Sequence, residues 1–344
     1  MLSGTLWPAH PRPLSGEALS SWFIRCAHAN GMKAQTFAVR NFGHQRQLWN
    51  RDIDRQAPEW LMQTVSQRTG VPLNQVKKMT VLLFEGRLFQ CKSLSGPLRW
   101  WLPLNMYHRI YRNYGVLYCP QCLEEDAIPY FRLNWRLAFY TFCPKHQIML
   151  HDRCHQCQQP VAFHRVELGK ANLLEASSMD HCWNCNSLLS EAPQELVDKW
   201  HKRPFTQWEA LLNVVDRQFR DCGPLNTARL ILWHQMCRLI VSENLAPYLQ
   251  DYICNIVDQP IRELVKSRKA FEQRDLEERH YVLGLAAWIS DVQAERKLHT
   301  AIQKRMLPLN QVYRDLRLAE IAELDRILVL PTSKRGGTKK SSQR

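Results

Sequence analysis

Four metal-type pairs are packed into 67 residues of this chain: Cys119-Pro-Gln-Cys122, Cys143-Pro-Lys-His146, Cys154-His-Gln-Cys157 and Cys182-Trp-Asn-Cys185. Twelve cysteines scattered at random over 344 residues would give only about 0.4 Cys-x-x-Cys pairs. Three such pairs in one segment therefore point to bound zinc. The spacing has a physical basis, because one tight turn brings two ligand atoms to a single tetrahedral ion at Zn–S distances of roughly 2.3 Å. Eight ligands fill two closed tetrahedral sites and leave no open position for a water nucleophile, so the expectation is two structural Zn2+ ions. Sequential pairing, Cys119, Cys122, Cys143 and His146 in one site and Cys154, Cys157, Cys182 and Cys185 in the other, closes shorter loops and costs less entropy. A cross-braced pairing would use the same eight residues. His151, His155, His164 and His181 are left outside the ligand set, and Cys26, Cys91, Cys222, Cys237 and Cys254, which lack a partner at metal spacing, are read as buried small hydrophobes.

Around this segment the pattern is helical. Leu19, Trp22, Phe23, Cys26 and Ala27 follow the i, i+3, i+4, i+7, i+8 spacing of one buried face, with Ser15 as the expected cap, and Asn30-Gly31 closes the helix. A short helix over residues 35–41 follows and makes a helix-turn-helix candidate. A similar unit is predicted over residues 60–79, punctuated by Gly70 and Pro72. From about Lys199 the apolar stripes Trp208, Leu211, Leu212, Val215 and Leu230, Ile231, Trp233, His234, Cys237, Ile240 predict more helices. The expected fold class is mainly α, with N-terminal helix-turn-helix units over 1–114, a tandem zinc-binding region over 115–190, a helical domain over 191–330 and a basic disordered tail over 331–344.

Charge is distributed unevenly over these regions. Residues 1–114 carry 15 Lys/Arg against 5 Asp/Glu, a net +10, whereas residues 191–330 carry 20 of each. Clustered positive charge attracts phosphate backbones, so the N-terminal region is the expected DNA-facing part, with Arg40, Arg46, Lys77 and Lys78 as candidate contacts. The balanced helical region suits solvent or protein. Residues 99–114 interleave Trp100, Trp101, Tyr107, Tyr111 and Tyr114 with Arg99, His108, Arg109 and Arg112. Such a mixture can stack on bases, but packing at a junction is the favoured reading.

Catalytic signatures are missing: the sequence contains no phosphate loop, HExxH, nucleophile elbow or dinucleotide fingerprint. The run Glu124-Glu125-Asp126 reads as a solvated charged face. The expectation is a protein that is not an enzyme. No apolar run reaches the roughly 20 residues of a membrane span, and no export signal is visible, so the cytoplasm is the expected compartment.

Pro11-Arg-Pro-Leu-Ser-Gly-Glu-Ala-Leu-Ser-Ser-Trp22 with Asn30-Gly31, Tyr118-Cys-Pro-Gln-Cys122, Tyr130-x-Arg132-x-x-Trp135-Arg136 and Cys143-Pro-Lys-His146 together resemble the TniQ family of transposon target-site selectors. The resemblance spans about residues 8–190. It implies a non-catalytic factor with the eight ligands above as its zinc ligands and with Trp135 and Arg136 packed around the first finger. It also implies work beside a separate transposase and an AAA+ ATPase, either at a fixed DNA site or as a homodimer docked on an RNA-guided CRISPR Cascade complex. Modest length and the neutral C-terminal half favour the Cascade-associated type. A free-standing zinc-containing DNA-binding regulator and a zinc-stapled nuclease are the rival readings.

Overall fold

The computed structural model describes residues 6–44, 48–91, 95–176, 178–220, 226–267 and 269–329. Arg46, Cys222 and the basic tail lie outside them. The regular elements are α1 (Leu19–Ala29), α2 (Ala34–Phe42), α3 (Ile53–Gln56), α4 (Glu59–Thr69), α5 (Leu73–Lys77), a hairpin of β1 (Met106–Tyr107) and β2 (Ile110–Tyr111), α6 (Pro120–Glu125), α7 (Lys202–Asp216), α8 (Thr227–Ile240), α9 (Leu249–Val257), α10 (Leu276–Ile289), α11 (Ala294–Gln303), α12 (Leu309–Val312) and α13 (Leu318–Asp325). The fold is mainly α, and the hairpin is the only sheet among the described residues. None of the described helices is long and apolar enough to cross a membrane.

The chain divides into two compact units. The first comprises residues 1–200, 206–223 and 272–280, and the second residues 201–205, 224–271 and 281–344. In the first unit α1 is buried on almost every side, from Leu19 through Ala27. Its Phe23 meets Trp7 and Phe37 at ring-centroid distances of 6.1 and 5.4 Å, which seats the N-terminal segment and α2 on one cluster. Ser15 does not cap α1. Ala18 occupies that position, and the start of the helix is organised by the buried carboxylate of Glu17 instead. Glu17 accepts from the Leu14 amide at 2.9 Å, Ser21 Oγ at 3.0 Å and Arg25 Nε and Nη2 at 2.8 and 2.7 Å, while Arg25 Nη2 also reaches the Arg12 carbonyl at 2.8 Å. Trp22 Nε1 donates to the Pro11 carbonyl at 2.8 Å, so the proline-rich opening is bonded flat onto α1. A charged side chain is tolerated in this interior only because each oxygen of the carboxylate has donors.

A second buried network joins the N-terminal helices to the cysteine-rich segment. Arg136 donates to Asp52 at 2.6 and 3.1 Å, to Asp54 at 3.3 Å, and to the carbonyls of Gly115 and Leu102 at 2.8 and 3.0 Å. Asp54 also accepts from the Ser20 amide and hydroxyl, both at 2.8 Å. Arg136 is thus engaged by acids more than 80 residues away in the chain rather than by the first metal-type group. Trp135 is buried and meets Phe131 edge-on.

In the second unit α8 is buried over most of its length and packs against α9, α12 and α13. Its Trp233 indole donates to the Leu283 carbonyl at 3.0 Å, and its Gln235 amide caps the carbonyls of Gln311 and Arg314 at 2.8 and 3.1 Å. The apolar stripe predicted on this helix, Leu230 to Ile240, is all interior. Cys237 and Cys254 are buried in this unit and Cys26 in the first, but Cys91 is exposed, a departure from the buried role expected for it.

Candidate metal centres

Three of the four ligand pairs are built on the same turn. Cys143, Cys154 and Cys182 each accept, at their carbonyl, the amide four residues on (Gln147, Gln158 and Asn186, at 2.8, 3.0 and 2.9 Å). The amides of the three cysteines bond to the carbonyls of Ile148, Gln159 and Ser187. Gln147, Gln158 and Asn186 all sit in the left-handed region, with φ of 58°, 58° and 62°. That conformation reverses the chain immediately after the second ligand and leaves both ligand atoms on one side of the turn. The fourth pair is different: Cys119 is the N-cap of α6, Pro120 occupies its first position, and Cys122 sits within the helix.

These turns bring the eight residues into two groups of four, each with all its ligand atoms within 4.8 Å of one another: Cys119, Cys122, Cys143, His146 and Cys154, Cys157, Cys182, Cys185. The grouping follows the sequential pairing. In the first, Cys122 Sγ lies 3.8 Å from Cys143 Sγ, and His146 Nδ1 lies 3.2, 3.5 and 3.6 Å from the sulfurs of Cys119, Cys122 and Cys143. In the second, Cys154–Cys185 and Cys157–Cys182 sulfurs are 3.6 and 3.5 Å apart. The edge of a tetrahedron with roughly 2.3 Å Zn–S bonds is about 3.8 Å, so the spacing fits a four-coordinate cation of that size.

The surrounding donors and acceptors fit one as well. His146 Nε2 donates to the Glu125 carboxylate at 3.0 Å, which directs the Nδ1 lone pair into the group. Ser187 Oγ lies 3.1 Å from both Cys154 and Cys185, and the Asn184 amide donates to Cys182 Sγ at 3.4 Å. Hydrogen bonding to the Cys119 and Cys143 sulfurs, then burial and repulsion from those sulfurs, push the Cys122 thiol far above its ordinary pKa, since thiolates this close cannot all carry charge unaided. A divalent cation removes that repulsion. Either group could therefore hold one metal ion, with all four positions taken by protein.

Glu125 belongs to the run Glu124-Glu125-Asp126, for which the sequence predicts a solvated charged face. It is exposed, but Lys145 and His146 both engage it, and Asp126 beside it pairs with Arg132 at 2.7 Å. Its position three residues after Cys122 on a helix was the available signal. The four histidines left out of the ligand set lie outside both groups. His151 donates to the Pro193 carbonyl, His181 pairs with Asp180, and His164 stacks on Trp49 at 5.1 Å.

Among the candidate DNA contacts, Arg40 is exposed on α2 and lines a cavity of about 390 Å³ with Trp7, Met32, Phe37 and Arg68. Lys77 ends the five-residue α5 and pairs with Glu59 at 2.9 Å, and Lys78 is exposed beside it.

Residues 8–150 match the TniQ family model, a span that holds the Glu17–Arg25 start, the Arg136 network and the whole first ligand group. Over that segment the chain is similar to the TniQ family. No protein of curated function matches the chain significantly. That similarity points to DNA transposition, in a target-selection role.

Proposed function

We propose that this chain is a non-catalytic target-site selector for DNA transposition, acting as a homodimer that links an RNA-guided Cascade complex to an AAA+ ATPase and a transposase. Two structural zinc ions would hold its central region, one on Cys119, Cys122, Cys143 and His146 and the other on Cys154, Cys157, Cys182 and Cys185. The observation that carries the reading is the TniQ match over residues 8–150. The ligand groups support the non-catalytic part, because four protein ligands per ion leave no coordination site for an activated water. The charge split supports a division of labour, with the basic residues 1–114 facing DNA and the neutral residues 191–330 facing protein.

The test is co-precipitation of the purified chain with Cascade and with the ATPase, alongside variants Arg40→Glu with Arg46→Glu and Lys77→Glu with Lys78→Glu. Both complexes should retain the unaltered chain, and the charge reversals should weaken integration in a salt-dependent way without changing zinc content. Retention by neither complex, with tight binding of one DNA sequence by the chain alone, would replace this reading with a free-standing zinc-containing regulator. Magnesium-dependent nicking that disappears on changing one of the chain's own acids would replace it with a nuclease.

A further inference from the structure

The aromatic and basic segment over residues 99–114 divides in two. Trp100 and Trp101 are fully buried and Tyr111 nearly so, as packing requires, but the β1–β2 hairpin leaves Tyr107 55% and Ile110 41% exposed. Tyr107 and Ile110 are a cross-strand pair, so both stand on one face of the ribbon, and His108 and Arg112 are exposed beside them.

The turn itself is held in a costly shape. His108 and Arg109 have φ of 47° and 65°, the two left-handed positions of a two-residue hairpin turn that normally takes Asn-Gly. Each such residue costs on the order of 1 kcal/mol when it carries a side chain. The conformation is imposed from below. The Arg109 carbonyl accepts from His164 Nε2 at 3.1 Å and Arg165 Nη1 at 3.3 Å. His164 is buried, stacked on Trp49 and held neutral with its pKa pushed down to about 3 by burial. Arg165 lies over the Trp183 ring at 4.3 Å, within the Cys182–Cys185 knuckle. Strain sustained by so many neighbours is a mark of a functional tip.

The charges at this tip are unanswered. Among the described residues no carboxylate pairs with Arg109, Arg112 or Arg165, and Arg165 Nε is buried with no hydrogen-bond partner. Arg109 and Arg165 are close enough for their repulsion to help lower the Arg165 pKa, after burial. Cations gathered without acids, around an apolar edge, complement a phosphate backbone with its sugars. The Tyr107 ring is not open for base stacking, since the Arg112 guanidinium covers it at 4.4 Å and His108 abuts it at 4.2 Å. That arrangement disfavours single-stranded nucleic acid, whose binding relies on free aromatic faces.

We infer that the residue 106–111 hairpin, together with Arg112 just after it, is a duplex-DNA contact that grips the phosphate backbone through Arg109 and Arg112 and reads no base sequence. The inference rests on the target-selection reading only for the presence of DNA, and it names a surface that reading left unassigned. The test is equilibrium binding of the full chain to fluorescent duplexes of two unrelated sequences and to a single strand, between 50 and 200 mM salt. The double variant Arg109→Ala with Arg112→Ala should lower the slope of log K against log salt by about 1.8, two phosphates' worth, equally on both duplexes. The ratio of wild-type to variant affinity would then shrink about tenfold over that salt range. Zinc content and circular dichroism should not move, and Arg314→Ala with Arg326→Ala, in the second unit, should leave the slope alone. An unchanged slope in the hairpin variant, a loss on one duplex only, or a preference for single strand that depends on Tyr107 overturns the inference. Because the chain is tested alone with DNA, that failure is separable from failure to co-precipitate with other transposition proteins.

Discussion

Replacing Arg136 by Met removes the cation that joins the N-terminal helices to the cysteine-rich segment while keeping a side chain of comparable length. Five hydrogen bonds go with it. Asp54 is left buried with only the two Ser20 donors, whereas Asp52 is partly exposed and keeps the Trp101 indole at 3.3 Å. Removing one partner of a buried pair typically costs 3–5 kcal/mol, roughly the range expected here near pH 8. The cost should depend on pH with a definite sign. Burial raises the Asp54 pKa from 3.8 to about 6 even with Arg136 pulling it down, so the intact protein loses stability as pH rises from about 4 to 6, where the folded state binds more protons than the unfolded chain. Without Arg136 the folded pKa climbs further and the window extends upward. Between the two folded-state values the penalty of Arg136→Met should therefore shrink by about 1.4 kcal/mol for each unit the pH is lowered. Adding Asp54→Asn should recover part of the loss at pH 8. Urea denaturation of wild type and both variants at pH 8, 7 and 6, compared at equal pH so that metal release cancels, measures this. A penalty under 1 kcal/mol at pH 8, or one that does not change with pH, would refute the assignment of Arg136 as the counterion that keeps Asp54 ionised.

Elemental analysis of the purified chain should find two zinc ions, and Cys122→Ser or Cys157→Ser should each remove one and much of the stability, since structural zinc contributes roughly 10–16 kcal/mol of apparent binding energy in small fingers. Glu125→Ala should weaken retention at the first group by about 10- to 100-fold in a chelator competition, with no change at the second, through loss of its bond to His146. Gln158→Gly should raise the thermal midpoint or leave it unchanged, because φ of 58° favours glycine by up to about 1 kcal/mol; a clear drop would mean that the Gln158 side chain, which bonds the His155 carbonyl at 3.1 Å, matters more than the backbone.

The helical class of the chain is legible in its residues alone, because the 3.6-residue periodicity of α1 and α8 is a local property, and so are the eight metal-type residues, because two ligands on one turn must be neighbours in the chain. Its family signature was legible for the same reason, as short motifs such as Pro11 to Trp22 and Cys119 to Cys122 whose side chains act close to where they occur. What was decided in three dimensions depends on partners far apart. Spacing left sequential and crossed pairings of the knuckles both available, and only the folded chain brings Cys122 to Cys143 and Cys157 to Cys182. Glu17 acquires its role only when Arg25 and the Leu14 amide close around it, and Arg136 finds Asp52 and Asp54 across more than 80 residues. The segment from Arg99 to Tyr114 shows the limit most plainly. Tryptophans, tyrosines and arginines have the same composition whether they fill a core or crown a hairpin, and burial, which separates Trp100 at 0% exposure from Tyr107 at 55%, belongs to the packing of the whole unit.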